Sequence, residues 1–431
     1  MAALSLLLPS TLTYDPWTWV GWGRDLAGLE LDTSQGPAVK PLPVLAGALL
    51  SPFGDAAPWL WLVVARAGAL LSAVLAFRLA RRLGGGSVAA GAVAFGGVAL
   101  CDRWLWHGWL GNSEGVFLAL VLVAALRALD GRHRAALVLG WLAALTRLEA
   151  APFWLVYCGW VWRRDFGARV WIAAALAALP VAWLGPDLVG SGDPFRSSER
   201  ARIPNPGAPA LAERPALESL QRAVALAPAV VWAGALLALA GVWRRELPRL
   251  AALPLAAGAA WVGLVALMAE LGYSGEERYA MPGIALAAIS AGAGAGWAAT
   301  DASGRGRFGA ALVAAVLLAP MAAQQYERLV ADARGARYEA DLYGSLDDAV
   351  ARAGGRAAVL RCRPVQTARY SRPALAWRLH VAIADLSTQP ARSGTVFRAR
   401  SVRGSPPSPR LRSGPLREVA RAGRWAVLSS C

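Results

Sequence analysis

Residues 57–77 read APWLWLVVARAGALLSAVLAF, and Arg66 is the only charged side chain among them. An apolar run of about 20 residues is what an α-helix needs to cross the hydrocarbon of a bilayer. Working outward, comparable runs occur near 84–101, 114–127, 134–147, 149–162, 169–186, 222–242, 250–270, 280–299 and 307–323. The stretch 2–12 is apolar but too short to cross alone, and it lacks the positive start of a signal peptide. Either translation starts upstream, or this is a half-span completed by its neighbours. The 431-residue chain is 56% hydrophobic and 17% charged, with a mean hydropathy of +0.41. A soluble domain carries roughly 25% charged residues. The expected fold class is therefore an all-α polytopic membrane protein of ten or eleven transmembrane helices, with a small C-terminal α/β domain. Disorder, collagen and a disulfide-stapled mini-domain are excluded.

The formal charge of +16 would suggest nucleic acid in a soluble protein. Here Lys40 is the only lysine, and no basic patch interleaved with stacking aromatics lies outside the membrane region. Nucleic acid is not an expected partner; the bilayer is. Heavy Arg, Ala and Gly usage looks like a GC-rich bacterial coding bias, and the 20 tryptophans suit membrane interfaces. Arginines collect in alternate turns: Arg78, Arg81 and Arg82; Arg127, Arg132 and Arg134; Arg163, Arg164 and Arg169; Arg244, Arg245 and Arg249; Arg305 and Arg307. The segment 12–56 instead has Arg24 and Lys40 against Asp15, Asp25, Glu30, Asp32 and Asp55, a balance of 2 − 5 = −3. The positive-inside rule then places the N-terminus in the cytoplasm of a bacterial plasma membrane. The 12–56 loop, the 187–221 loop and everything after 323 fall outside.

Two domains follow, 1–323 in the membrane and 324–431 beyond it. The tail holds 19 arginines against 8 acids, a balance of +11. Tyr338–Ala353 reads as a helix with Leu342, Leu346 and Val350 on one stripe and Gly354-Gly355 as its stop. Short β-like runs follow at Ala357–Cys362, Val381–Ala384, Thr395–Arg400 and Trp425–Ser429. Cys362 and Cys431 share this outward tail, where disulfides persist, so a bridge between them is expected. Cys101 and Cys158 lie in apolar runs and read as plain apolar residues.

Chemistry belongs in outward segments too polar to span. The first loop reads Tyr14-Asp15-Pro16-Trp17-Thr18-Trp19, then Trp22-Gly23-Arg24-Asp25, then Val39-Lys40-Pro41-Leu42-Pro43. It offers a carboxylate near the membrane surface with cations to meet an anionic head group, although Asp15 could equally cap a helix with Pro16 at its first position. In 102–114, His107 with three tryptophans could line a sugar or lipid site, while Trp104 and Trp106 fit an aromatic belt. Glu114 opens an apolar run, where it either caps or faces a cavity. Arg147 and Glu149 stand between two runs with almost no loop, for mutual pairing or for phosphate. Glu276-Glu277-Arg278-Tyr279 puts a guanidinium at the outer interface. His107, His133 and His380 are scattered, so no zinc site is expected, and Gly84-Gly85-Gly86 lacks the Lys-Ser/Thr of a phosphate loop.

The outward Asp15, the Lys-Pro-Leu-Pro element, the Ser113-Glu114 helix start, the Thr-Arg-Leu-Glu-Ala turn and the Arg278-Tyr279 loop, in that order, resemble membrane glycosyltransferases of the C-type fold. That class contains protein O-mannosyltransferases and bacterial lipid-linked sugar transferases. The resemblance covers roughly 10–325 and is greatest to multi-spanning actinobacterial members. It implies a polyprenyl-phosphate sugar as donor and an acid of the first outward loop, here Asp15, as catalytic base. The protein-mannosylating branch usually carries an Asp-Glu pair there, where this chain has Asp15-Pro16.

The expected function is inverting transfer of a sugar from a polyprenyl-phosphate carrier to an extracytoplasmic glycan or protein acceptor. Asp15 would deprotonate the acceptor hydroxyl, and Lys40, Arg147 and Arg278 would hold the donor phosphate. Arg24, Asp25, His107, Glu114, Glu149 and Tyr279 would support them. No cofactor is expected besides the lipid-linked donor, which is a substrate, and the sequence does not decide a divalent-metal requirement. The competing class is a non-enzymatic lipid transporter, or a scaffold holding an anionic wall polymer. A transporter would show paired half-sequences, and no internal repeat is evident.

Overall fold

The computed structural model describes residues 1–301, 304–389, 393–401, 404–412 and 414–431, and for 300–322 and 325 the backbone alone. Two short helices come first: α1 (Tyr14–Ala27), then the apolar α2 (Pro41–Leu50), which starts where Pro41 and Pro43 follow the extended Lys40. Proline suits the first helical turn because its missing N–H is an orphan there anyway. The bundle proper is α3 (Ala57–Leu83), α4 (Val88–Ala99), α5 (Trp104–Trp109), α6 (Glu114–Leu129), α7 (His133–Thr146), α8 (Ala151–Trp162) and α9 (Arg169–Ser191). It continues through α10 (Arg196–Ala201), α11 (Pro215–Ala225), α12 (Ala229–Trp243), α13 (Leu253–Glu270) and α14 (Glu277–Asp301).

Helix α14 is the axis, packed by α3, α4, α12 and α13. Its glycines make that possible. A Cβ at Gly292 would fall 2.2 Å from the Ala90 carbonyl oxygen, and one at Gly294 2.3 Å from the Ala238 nitrogen. Small residues at such crossings let helix backbones touch, which is how apolar helices gain packing inside lipid. The buried Arg66 is satisfied at the bundle edge, donating to Ser5, Ser10 and the Trp109 carbonyl and lying 3.9 Å over the Trp109 ring. Trp104, read as a belt residue, is instead buried with its indole N–H on the Ala69 carbonyl.

The chain is a multi-pass membrane protein, and its helices differ in length. Among the described residues four helical stretches are long and apolar enough to cross: Pro41–Leu83, Phe166–Ser191, Arg249–Glu270 and Glu277–Ala299. They become five if α11 and α12, bent by 94°, count as one. The apolar runs were placed correctly, yet their ends are spent on turns at Gly84–Ser87, Asp130–Arg132 and Arg147–Ala150. What remains of α4, α6, α7 and α8 is 12, 16, 14 and 12 residues. At 1.5 Å per residue these reach roughly 18–24 Å, short of a hydrocarbon core about 30 Å thick.

Helix α15 (Gly304–Gly344) runs without a break across the expected boundary at 323/324. It leads into α16 (Leu346–Arg352), α17 (Gly355–Arg361) and α18 (Arg372–Leu379), set against a sheet of β1 (Val365–Thr367), β2 (Leu386–Ser387), β3 (Thr395–Arg398), β4 (Arg417–Ala422) and β5 (Trp425–Ser429). The strand order is β2-β1-β3-β5-β4, parallel around β1 and antiparallel from β3 onward. Leu342, Leu346 and Val350 do form one buried stripe, over Trp425 and Phe397, although Ser345 splits the expected 338–353 helix. The run 357–362 is helix α17 rather than a strand, since alanine favours helix and its apolar residues need only one buried face. The 381–384 run is a turn leading into β2.

Cys362 and Cys431 form a disulfide across a separation of 69 residues, while Cys101 and Cys158 are free and buried. Closing a loop of that size is worth about 4 kcal/mol in the chain-entropy treatment. Alkylation of the native, non-reduced protein followed by mass spectrometry is expected to leave Cys362 and Cys431 unlabelled. Both thiols reacting would refute the bridge.

Candidate active site

Five helix ends and breaks converge at the end of the bundle beneath the C-terminal domain. Asp15 lies in the first turn of α1, whose N-cap is Thr13. Its carboxylate does not cap the helix but meets Arg278, Oδ2 to Nη1 at 3.1 Å. Arg278 enters from the first turn of α14, placed there by the 271–276 loop. Gly275 makes that loop fit, with φ at +65° and room for no Cβ, which would stand 2.7 Å from Ala269 Cβ. The same guanidinium donates to Glu276 at 2.9 Å and reaches Asn112 Oδ1 at 3.5 Å. Asn112 in turn contacts His107 Nδ1 at 3.1 Å.

Lys40 precedes α2 and donates to Ser113 Oγ at 3.1 Å, its ammonium 4.9 Å from the Trp19 ring centre. Arg147 sits in extended conformation between α7 and the turn Leu148–Ala150, so that the break turns its side chain into the bundle. There it donates to Glu114 at 2.6 Å and Glu149 at 3.4 Å. Arg147 and Glu114 side chains are each 2% exposed. Tyr279 lies between the two guanidiniums, 4.8 Å from Arg147 and 5.2 Å from Arg278, and its carbonyl accepts from the Trp261 indole at 2.7 Å.

Outside the spans, burial pushes the Lys40 amine down to about 8, with Arg147 adding to the fall and Glu114 opposing it. His107 is pushed down to about 4, chiefly by burial, and is therefore neutral near pH 7. Burial would raise Glu276, yet Arg278 and hydrogen bonds from Asn205 and Ser274 hold it below the usual carboxylate range. It stays a fixed negative charge behind Arg278.

Asp15, Lys40, His107, Glu114, Arg147, Glu149, Arg278 and Tyr279 thus gather in one cluster from segments as far apart as 15 and 278. Arg24 and Asp25 do not join it. They pair with each other at 2.8 Å, and Arg24 donates to the Val381 carbonyl at 3.0 Å under the Trp377 ring, holding α1 against α18. Nearly three helical turns of α1 separate them from Asp15, which carries them to the C-terminal domain. Sequence reading assigned no role to Asn112 or Asn205 and took Ser113 only as part of a helix start, because neutral amides and hydroxyls carry little signal until their partners are known. It also passed over Asp187 and Arg196. Asp187 accepts from the Ser197 N–H, and Arg196 grips the Gly36 and Pro37 carbonyls just ahead of Lys40. Among the described residues no three His, Cys, Asp or Glu side chains converge on a metal-sized position.

No protein-family model matches the chain, and no curated protein matches it. The crystal structure of apo ArnT from Cupriavidus metallidurans does, at a TM-score of 0.55 and 14% identity, over 100% of this chain and 96% of that one. At this identity the likeness shows that the two chains share a fold. ArnT bound to undecaprenyl phosphate aligns over the same shares at 14% identity and a TM-score of 0.48, and adds nothing to the fold argument.

Removing one member of a buried ion pair strands the other. Glu114→Ala is expected to cost about 3–5 kcal/mol, read as a lowered unfolding midpoint of the purified protein in detergent. A variant as stable as the parent would mean that Arg147 has another counter-charge.

Proposed function

We propose that the protein transfers a sugar from a polyprenyl-phosphate carrier to an extracytoplasmic acceptor, with inversion at the anomeric carbon. The observation that carries the reading is the Asp15–Arg278 pair beside Lys40, a base and two cations in one half-buried cluster. The fold shared with ArnT lends only analogy, since one fold hosts many activities. In this reading the domain end of the bundle faces outward and the arginine-rich turns face the cytoplasm.

The acceptor oxygen attacks the anomeric carbon as its proton passes to an Asp15 carboxylate oxygen. The bond from that carbon to the phosphate oxygen breaks, and the polyprenyl phosphate departs with the electron pair. Lys40 and Arg278 receive the charge that develops there. Arg147 is too deeply buried, and too fully engaged by Glu114 and Glu149, for direct phosphate contact; it adds positive potential from behind. With no donor bound, Arg278 neutralises Asp15. A donor phosphate competes for that guanidinium and leaves the carboxylate freer to take a proton, so donor binding precedes acceptor activation.

Asp15→Asn keeps the size of the side chain and removes its basicity. Transfer is expected to fall roughly 100- to 10,000-fold while undecaprenyl phosphate still binds. Lys40→Ala and Arg278→Ala should weaken lipid binding instead. Wild-type transfer by the Asn variant would make Asp15 structural.

The Lys40 value sets a pH dependence. Its amine is charged below about 8 and neutral above it. The second ionisation of a phosphate monoester, near 6, is complete by then. Affinity for undecaprenyl phosphate is therefore expected to drop as pH rises through about 8, and Lys40→Arg should abolish the drop. A flat wild-type profile would remove Lys40 from the phosphate site.

A further inference from the structure

We infer that the acceptor is an anionic glycan that docks on an exposed lip where the C-terminal domain meets the mouth of the site. The inference rests on the transfer reading above and names the substrate class it left open.

Tyr370 is the centre of the lip. It stands in the turn Arg369–Ser371 ahead of α18, with 46% of its surface exposed. Its ring meets Tyr14 edge-on, centroids 5.6 Å apart at 82°, and Tyr14 adjoins Asp15 in the chain. From the Tyr370 hydroxyl a polar chain runs inward. The hydroxyl donates to Asn205 Oδ1 at 3.3 Å, Asn205 Nδ2 donates to Glu276 Oε1 at 2.8 Å, and Glu276 Oε2 accepts from Arg278, the partner of Asp15. A molecule resting on Tyr370 therefore lies at the outer end of the network that holds the base.

Two charges set the ligand class, one beside this ring and one on the loop that carries Asn205. The Arg369 guanidinium lies 5.9 Å from the Tyr370 ring centre, and Arg202, on the loop that carries Asn205, lies 5.1 Å from that of Tyr273. Both arginines are exposed, and among the described residues neither has an ion-pair partner. Arg378, Arg421 and Arg424 of the domain are matched to Asp347, Glu418 and Asp341, whereas Arg356, Arg361 and Arg363 are also exposed and, among the described residues, without an ion pair; what sets Arg369 apart is its place beside the Tyr370 ring. An unpaired guanidinium fork suits a phosphate, sulfate or carboxylate, and an aromatic ring beside it suits the C–H face of a sugar. The balance of 19 arginines to 8 acids over 324–431 would draw such a polymer toward the lip from a distance.

The test uses the full chain, disulfide intact, in phosphatidylcholine nanodiscs, with fluorescent dextran sulfate and unmodified dextran as probes. Dextran sulfate is expected to bind, and plain dextran at least about tenfold more weakly, the scale of one lost charge-assisted hydrogen bond. The Arg202→Ala/Arg369→Ala double variant and Tyr370→Ala should each lose about tenfold for dextran sulfate and keep their affinity for undecaprenyl phosphate. Arg410→Ala/Arg412→Ala, which removes equal charge from another exposed stretch, should leave dextran sulfate binding unchanged. Equal losses in the two arginine double variants would reduce the effect to diffuse charge and overturn the lip. Equal binding of plain dextran would overturn the anionic class. Undecaprenyl phosphate failing to bind the parent chain, with the dextran results as expected, would sink the donor reading and leave the lip standing.

Discussion

A guanidinium cannot sit inside a helical bundle without a counter-charge, and Glu114 supplies the one Arg147 needs. Their contact at 2.6 Å, with both side chains almost wholly buried, ties the start of α6 to the break between α7 and α8. Taking two ions out of water costs several kcal/mol each, so the pair persists only because its geometry is tight. Glu114 Oε2 and Arg147 Nε are buried beside it and have no hydrogen-bond partner among the described residues. An arrangement optimised for stability alone would have used apolar residues there. What the pair provides is a fixed electrostatic floor, and Lys40, Tyr279 and Arg278 are disposed above it.

How much of this was legible in the sequence depended on whether a residue's partner was local or distant. The apolar runs located the bundle helices, because 20 consecutive apolar residues admit few other readings. Their true lengths were not legible. Whether the last residues of a run stay helical depends on turns such as Gly84–Ser87, which the neighbouring helices enforce. Charge at or inside apolar runs marked Glu114 and Arg147, and outward polar loops marked Asp15, Lys40 and Arg278. That they meet is a property of the fold, and no spacing along the chain encodes it. Arg24-Asp25 carried the same signal and serves a different purpose, because an ion pair that docks a domain looks like one that binds a ligand until its neighbours are seen.

The C-terminal domain shows the same limit from the other side. Strand β5 was legible as a short β-like run, whereas β4, with Arg417, Glu418 and Arg421, has no apolar alternation to mark it and was not expected. It is a strand because β5 offers it a backbone edge, and its polar side chains face outward. Pairing of this kind depends on the partner more than on propensity. The run 357–362 failed in the opposite direction: apolar and short, it fits either state, and it lies in α17, which starts directly after Gly354.

Helix α15 joins bundle to domain as a single rod of 41 residues. At 1.5 Å and about 100° per residue, a rod of this kind converts sequence length directly into height and azimuth. Deleting or adding one residue along it would turn the domain through about 100° relative to the bundle, carrying Tyr370 away from Asn205 and Arg24 away from Val381. A flexible linker would absorb such a change within its slack. Here the number of residues between bundle and domain is an angular setting, and evolution can alter it only in steps that restore the phase of the helix.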